Sequence, residues 1–168
     1  MLGSLLKTFQ RPQKRDFRLV TDTSTICIFD PDCLEHRLDD RGDWWTIPED
    51  ELLELNQKNV MIVALPEDSF YDVCFAKDFD PNPDDMVQAF VQCKSGEFFV
   101  GAGEYIPGED MTLSDWRHEY ISGVIVKAEK GTHLAVLKFY HPNKIQVQVS
   151  SADDFSTNTF KQLLSLGR

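Results

Sequence analysis

The stretch Lys144-Ile145-Gln146-Val147-Gln148-Val149-Ser150 alternates apolar and polar residues over the length of a whole strand. This alternation is typical of a β-strand with one face in the core and the other in solvent. Two strand-like runs precede it, at residues 120–128 and 133–140, and the sequences between the runs are rich in turn-forming residues. The last third of the chain therefore predicts a three-stranded meander.

Similar strand-like runs recur about every ten residues toward the N-terminus. They occupy residues 17–20, 25–29, 60–65 and 70–76, and residues 87–93 and 98–101 predict a hairpin. Short helices are predicted over 31–38, over 47–57 after a capping box formed by Thr46 and Glu49, and near Phe160, Leu163 and Leu164. Short strands with frequent turns predict a mainly β fold, an antiparallel β-sandwich with a few short helices. The alternative is a β-rich α+β domain.

A chain of 168 residues falls within the usual size of one domain. Residues 1–18 hold five bases against one acid, and Leu2, Leu5, Leu6 and Phe9 have helical spacing. We therefore divide the chain into a basic N-terminal arm or helix over 1–18 and a single β-rich domain over 19–168. Neither the features of a secretion signal nor a long apolar run is present, so we expect a cytoplasmic location.

The net charge of −11 is concentrated in three segments in the middle of the chain. Residues 30–54 hold ten acids against two arginines, residues 67–85 hold seven acids against one lysine, and residues 97–119 hold six acids against one arginine. Direct binding to nucleic acid is disfavoured, because phosphates require a basic surface. A concentrated negative field instead attracts a cationic partner and accelerates encounter with it.

The sequence contains no motif that predicts catalysis or a cofactor. The acidic loop from Asp78 to Asp85 places oxygen ligands on alternate positions, as calcium loops do, but Pro83 and Ala89 replace the glycine and glutamate that such loops need. The histidines are far apart, and the four cysteines have no metal-ligand spacing, so we interpret the cysteines as buried thiols. We predict a protein that is not an enzyme and binds neither a metal nor another cofactor.

Two adjacent tryptophans, Trp44 and Trp45, lie between acidic segments. One is expected in the core and the other at the surface, where an aromatic ring among carboxylates resembles a binding hot spot. The alternative is that both side chains are buried.

The order of features in residues 24–75 resembles that of the competence protein J family. The shared features are a strand running into Phe29-Asp30-Pro31, an acidic stretch, Trp45-Thr46, a helix, Val60-Met61-Ile62-Val63 and the strand from Phe70 to Phe75. That family comprises β-sandwich inhibitors of a secreted DNA-entry nuclease. Size and acidity are also similar to those of bacterial immunity proteins that neutralise toxins. The resemblance implies inhibition of a toxin or nuclease.

The leading prediction is thus an acidic immunity or inhibitor protein that covers a basic site on a toxin or nuclease. The alternatives are a β-sandwich that binds a small ligand or carbohydrate, and a hydrolase that uses carboxylates. The residues predicted to contact the partner are Trp44, Asp78, Asp80, Asp84, Asp85, Glu109 and Asp110.

Overall fold

Two five-stranded sheets form the fold. The computed structural model describes residues 16–75, 81–109 and 122–167. The strands are β1 Phe17–Thr21, β2 Thr25–Phe29, β3 Val60–Ala64, β4 Ser69–Cys74, β5 Asp85–Cys93, β6 Glu97–Ala102, β7 Gly123–Lys127, β8 Gly131–Tyr140, β9 Lys144–Ser151 and β10 Leu164–Ser165. Sheet A has the order β1-β4-β9-β8-β5, and sheet B has the order β10-β3-β2-β6-β7. The prediction of a mainly β fold is confirmed.

Most neighbouring strands run antiparallel, but each sheet contains one parallel pair. In sheet A, β4 pairs parallel with β9, and in sheet B, β3 pairs parallel with β10. Both sheets are therefore mixed, whereas the sequence predicted antiparallel sheets. A parallel pair joins segments that are distant in the chain, and no local turn signal announces it.

The main hydrophobic core lies between the two sheets. Leu19, Tyr71, Leu137 and Val147 from sheet A meet Ile28 and other inward-facing residues from sheet B. In β9, Ile145, Val147 and Val149 face this core as predicted, and Gln148 and Ser150 are exposed, but Gln146 is buried instead of facing solvent. Inward and outward residues alternate because successive side chains of a strand point to opposite faces.

A second core covers the outer face of sheet B. Cys27, Phe29, Ile62 and Phe99 point away from the first core and pack under residues 34–45 and Ile106. Strands β2 and β3 are consequently buried on both faces, which agrees with their continuous apolar runs. The prediction that residues 60–65 form a central strand is confirmed, since β3 lies between β2 and β10.

Most of the described helical segments are short and lie between β2 and β3. Helix α1 spans Pro48–Asn56, close to the predicted 47–57, and three 3₁₀ turns occupy Pro31–Cys33, Glu35–Arg37 and Trp44–Thr46. The predicted capping box is wrong. Ile47 is the N-cap residue, and the Thr46 hydroxyl donates instead to the Asp43 carbonyl. A fourth 3₁₀ turn, Gly103–Tyr105, follows β6.

Three local predictions are wrong, and two of them fail because successive strands belong to different sheets. Strand β5 pairs with β8 in sheet A and β6 pairs with β2 and β7 in sheet B, so residues 87–101 cross between sheets rather than form a hairpin. For the same reason only β8 and β9 of the predicted meander pair with each other. The predicted terminal helix is replaced by extended chain and by β10, whose Leu164 pairs with Val63.

The basic N-terminal arm, apart from residues 16–18, lies outside the described residues. The strand predicted over 17–20 is confirmed as β1, an edge strand of sheet A. In the part of the chain that the structure describes, no helix is long and apolar enough to cross a membrane.

Candidate partner-binding surface

The turns at one end of the sandwich bring together segments that are far apart in sequence. Thr25 at the start of β2 pairs with Ala64 at the end of β3, and the Ala64 carbonyl accepts the Leu166 amide. The next residue, Gly167, donates its amide to the Asp85 carboxylate at 2.9 Å. The same end therefore contains the turn between β1 and β2, the turn between β3 and β4, and the start of β5.

This end, which we call the acidic end, carries carboxylates on nearly every turn. The acids among its described residues are Asp22, Glu67, Asp68, Asp84, Asp85, Glu104 and Glu109. Lys144 at the start of β9 and Arg41 are bases beside them. The opposite end is mixed, since Lys58, Lys94, Lys127 and Lys130 lie there among Asp30, Asp32, Glu97, Glu129, Asp153 and Asp154. The excess of acids over bases is thus larger at the acidic end than at the opposite end.

A cleft at the acidic end forms where two loops meet. The Glu109 amide donates to the Asp40 carbonyl at 2.8 Å, which joins residues 103–109 to residues 40–43. A Cβ added to Gly108 would lie 2.7 Å from the Gly42 Cα, so this approach requires glycine. The cleft has a volume of about 420 Å³. Its lining residues are Arg41, Gly42, Asp43, Glu104, Ile106, Gly108 and Glu109.

The Glu104 carboxylate is fixed in this cleft by the turn between β1 and β2. Oε1 accepts the Asp22 amide at 2.6 Å, and Oε2 accepts the hydroxyls of Thr21 and Thr23 at 3.0 and 2.9 Å. Hydrogen bonds to an ionised carboxylate are stronger than those between neutral groups. Glu104 therefore holds its position and ties the cleft to the sandwich, while Asp43 and Glu109 are exposed at the rim.

Both tryptophans are buried, so the expectation that one of them is exposed is wrong. Trp44 is 3% and Trp45 is 7% exposed, and both belong to the second core. The Trp44 ring nitrogen donates to the Pro107 carbonyl at 2.7 Å. Trp44 therefore connects the two loops of the cleft from below, and its ring does not form an exposed apolar patch.

Arg37 packs over the Trp44 ring, with its guanidinium carbon 4.4 Å from the ring centre. Its nitrogens contact Glu54 at 2.7 Å, Asp40 at 2.7 Å and Asp50 at 3.2 Å. These bonds attach the 30–46 segment to helix α1. Arg37 supplies one positive charge to three carboxylates, so its role here is to hold the segment in place and not to neutralise it.

Glu54 is 1% exposed and is the centre of that ionic network. Burial alone would raise its pKa, but hydrogen bonds from Asn59, His36 and Arg37 stabilise the carboxylate and hold its pKa below the usual value. Glu51, one turn earlier on α1, is also buried, and burial raises its pKa to about 7. The pKa values of these two carboxylates on one short helix are thus shifted in opposite directions. Only Glu54 accepts hydrogen bonds that stabilise its ionised form.

The predicted contact residues fall into two groups at the acidic end. Glu109 lies at the rim of the cleft, beside residues 40–43. Asp84 and Asp85 lie at the start of β5, where Asp84 accepts the His141 amide at 2.7 Å and Asp85 accepts the Met86 and Gly167 amides. The two groups lie in separate loops. Asp78, Asp80 and Asp110 lie outside the described residues.

Sequence reasoning missed Asp43 and Glu104. Both belong to segments that the charge count marked as acidic, so their sign was known. Their position was not, because the contact between Glu104 and residues 21–23 spans more than 80 positions. The three consecutive polar residues Thr21, Asp22 and Thr23 were the available signal for a turn that binds an anion.

The described residues offer little to a metal ion. Among residues 16–75, 81–109 and 122–167, no three His, Cys, Asp or Glu side chains are grouped so that they could hold one. All four cysteines are free thiols, and Cys27, Cys33 and Cys93 are buried. Burial raises the pKa of the Cys33 thiol to about 12 and that of Cys93 to about 11, which makes both poor nucleophiles.

The family comparison gives a match over nearly the whole described fold. Residues 13–166 match the family described as "Family of unknown function (DUF6386)". The chain belongs to this family. No curated protein matches this DUF6386 member.

Two solved structures are similar to this DUF6386 chain. One is the crystal structure of ComJ from Bacillus subtilis, an inhibitor of the DNA-degrading activity of NucA, with 8% identity and a TM-score of 0.51 over 84% of this chain and 100% of ComJ. The other is named crocagin biosynthetic gene J, with 8% identity and a TM-score of 0.46 over 80% of this chain and 94% of that one. The likeness to ComJ shows a shared fold, and the resemblance stated from residues 24–75 is thereby confirmed.

Proposed function

We propose that this protein is a cytoplasmic inhibitor or immunity protein, not an enzyme, that neutralises a bacterial toxin or nuclease by covering a basic site. The observation that carries the proposal is the charge asymmetry of the sandwich. Glu67, Asp84, Glu104 and Glu109 share one end, whereas acids and lysines are mixed at the other. The fold of ComJ, which inhibits a nuclease, supports the same class of function.

The physical basis is complementarity with a phosphate-binding site. A nuclease needs a basic active site to bind its substrate, and an acidic surface presents the same charge as the nucleic acid. Charge complementarity increases the rate of encounter and rejects acidic partners. Glu104 contributes a carboxylate that is already fixed by three hydrogen bonds, so it loses little freedom on binding.

Within this proposal Glu109 contacts the partner directly, together with Asp43 and Glu104. Asp84 and Asp85 form a second contact on the same end, and Asp78, Asp80 and Asp110 remain predicted contacts from the sequence. Trp44 acts by supporting the cleft through its bond to Pro107. Burial of Trp44 and Trp45 removes the exposed aromatic surface that motivated the small-ligand alternative.

The test uses a toxin or nuclease encoded beside the gene for this chain. The full chain is mixed with that protein, and DNA degradation and the growth of a host expressing the toxin are measured. We expect inhibition and restored growth, with a complex that weakens as salt is raised. Undiminished degradation and toxicity at a large excess of the chain would contradict the proposal.

Charge reversals locate the surface. Glu67→Lys and Glu109→Lys place a base at the acidic end, and each is expected to slow association about three- to tenfold at low salt. Glu129→Lys is the matched control, since it makes the same change at the mixed end. Equal effects of all three substitutions would mean that the acidic end is not the contact surface.

A further inference from the structure

The loop that follows β9 holds a phenylalanine in solvent. The Phe155 side chain is 92% exposed, the highest value for a large apolar side chain among residues 16–75, 81–109 and 122–167, and the next highest is 60% at Val20. A hydrated ring contributes little to folding, because it is equally hydrated in the unfolded chain. Its burial against another apolar surface is favourable, so the ring is available to stabilise a contact between molecules.

The backbone around Phe155 is fixed on both sides. The Asp153 carboxylate accepts the Phe155 amide at 2.9 Å, and the Asp153 carbonyl accepts the Ser156 amide at 2.9 Å, which closes a turn around the ring. The Lys58 ammonium donates to the Asp154 and Ser156 carbonyls at 3.3 and 3.0 Å. Phe155 is therefore presented from a preformed turn, and little conformational entropy is lost when the ring is buried in a contact.

This turn lies at the mixed end, beside the turn that joins β7 to β8. The Asp154 carboxylate accepts the Thr132 amide at 2.9 Å. A Cβ added to Gly131 would lie 3.3 Å from Oδ1 of the same carboxylate, so the start of β8 lies directly against the turn. Lys130 precedes Gly131 and is exposed. The ring of Phe155 and the charged turn at residues 128–130 therefore belong to one surface.

The charged turn carries one exposed side chain of each sign, Glu129 and Lys130. When a surface meets its own copy across a two-fold axis, Lys130 of either copy can lie against Glu129 of the other. The nearby Asp153 and Asp154 carboxylates already accept backbone amides of their own chain. A second copy thus satisfies both signs, whereas a wholly basic or wholly acidic partner would meet a like charge at one of the two residues.

The charge of the whole molecule favours the same end for a contact between copies. The net charge is −11, so two copies repel each other. Contact through the acidic end would bring the larger excess of acids together. Contact through the mixed end keeps the two acidic ends apart, so the repulsion that opposes association is smallest there.

We propose that the protein forms a two-fold symmetric dimer through its mixed end. Phe155 of each copy packs against the other copy, and the turns that join β7 to β8 lie side by side, so that Lys130 of one copy meets Glu129 of the other. The two acidic ends then point away from each other, and each stays open to a basic partner. The dimer does not rest on the function proposed above, because its formation is measured on the chain alone.

Sedimentation velocity of the full-length chain over a series of concentrations tests the proposal. We expect a monomer–dimer equilibrium whose Kd rises about tenfold or more in Phe155→Ser, because the buried ring is the main apolar contact. Phe70→Ser is the matched control, since Phe70 is also exposed but lies at the acidic end, opposite Val20 of β1. A chain that sediments as a monomer at every concentration, or equal weakening by the two substitutions, would overturn the proposal.

A pair of charge variants tests the two-fold arrangement. Glu129→Lys leaves two lysines in the charged turn and Lys130→Glu leaves two glutamates, so each variant places like charges across the axis and should dimerise about three- to tenfold more weakly at low salt. In an equal mixture of the two variants, the turns of the mixed dimer carry opposite charges. The mixture should therefore dimerise more tightly than either variant alone. A mixture that associates no better than the separate variants would show that the two turns do not meet, and would overturn the proposal.

Discussion

At the scale of single residues, Asp30 shows how one carboxylate organises two distant turns. It is fully buried, and its oxygens accept the amides of Asp32, Lys94 and Ser95 at 3.0, 2.6 and 2.7 Å. Because three backbone N–H groups donate to it, the Asp30 carboxylate is stabilised without a basic side chain as its partner. Asp30 thus holds the crossing from β5 to β6 against the start of the first 3₁₀ turn, where the sequence predicted an ordinary hairpin.

Asp30→Asn should lower the free energy of unfolding by about 2–4 kcal/mol, since an amide group would face the Lys94 and Ser95 N–H groups that now donate to Oδ2. Urea denaturation measures the change. Asp32→Asn is the control, because its side chain is exposed and only its backbone amide contacts Asp30. A loss as large at Asp32 as at Asp30 would contradict this account of the turn.

Glu51 gives a residue-scale prediction with a defined pH dependence. Its folded pKa of about 7 lies above the ordinary value of 4.5, so the folded state binds the proton more tightly than the unfolded state. Its contribution to stability is therefore complete below pH 4.5 and is lost as the pH rises through 7. Glu51→Gln should raise the free energy of unfolding by about 2 kcal/mol at pH 8 and change it little at pH 4.

Thermal or urea unfolding at both pH values measures this difference. Glu49→Gln, on the exposed side of the same helix, is the control. Glu54 responds in the opposite direction, because its folded pKa is lowered: its contribution is present above its unfolded pKa and is lost as the pH falls through the folded value. A Glu51 substitution with the same effect at pH 4 and pH 8 would show that burial of the charge is not the cause.

At the scale of elements, the 30–46 segment gives sheet B a second core on its outer face. It covers the outer face of sheet B, and Arg37 attaches it to α1 through Glu54 and Asp50. Replacing Arg37 by lysine keeps the charge but loses the planar group that binds several carboxylates and stacks on Trp44. We expect Arg37→Lys to cost about 2–3 kcal/mol, since buried Glu54 would lose its guanidinium donor.

Limited proteolysis and hydrogen exchange of residues 30–46 measure that change, because the segment should open before the sheets unfold. Arg41→Lys is the matched control, since the Arg41 side chain is 81% exposed. If Arg37→Lys lowers global stability while exchange in the segment is unchanged, the attachment to α1 is not its role.

Also at this scale, the sequence predicted single strands better than their pairing. The apolar run at 60–65 and the alternation at 144–150 depend on local burial, and both strands were confirmed. The hairpin over 87–101 failed because its turn residues fit a crossing between sheets as well as a hairpin. The cleft at 41–43 and 103–109 could not be predicted from the sequence either, because it depends on contacts such as Glu109 to Asp40 across some 70 positions.

At the scale of the whole molecule, the charge count predicted where acids occur along the chain but not that turns from all parts of the sheets gather them at one end. Asp22, Glu67, Asp84 and Glu104 come from four separate loops. Their proximity follows from strand direction. Because the chain reverses direction at each turn, alternate turns between strands lie at the same end of the sandwich. A net negative end of this kind raises the free energy of the folded state through mutual repulsion.

Glu67→Lys tests that repulsion without any partner. Glu67 is exposed beside Asp68 on the acidic end, so reversal should raise the free energy of unfolding by about 0.5 kcal/mol at low salt, where charges act over more than 10 Å. The gain should disappear at about 1 M salt, where the screening length falls to about 3 Å. Glu129→Lys, at the mixed end, should give a smaller gain or none, and urea unfolding at both salt concentrations measures the set. Equal gains at the two ends, or a gain at Glu67 that survives high salt, would mean that the folded molecule does not concentrate negative potential where a basic partner is proposed to bind.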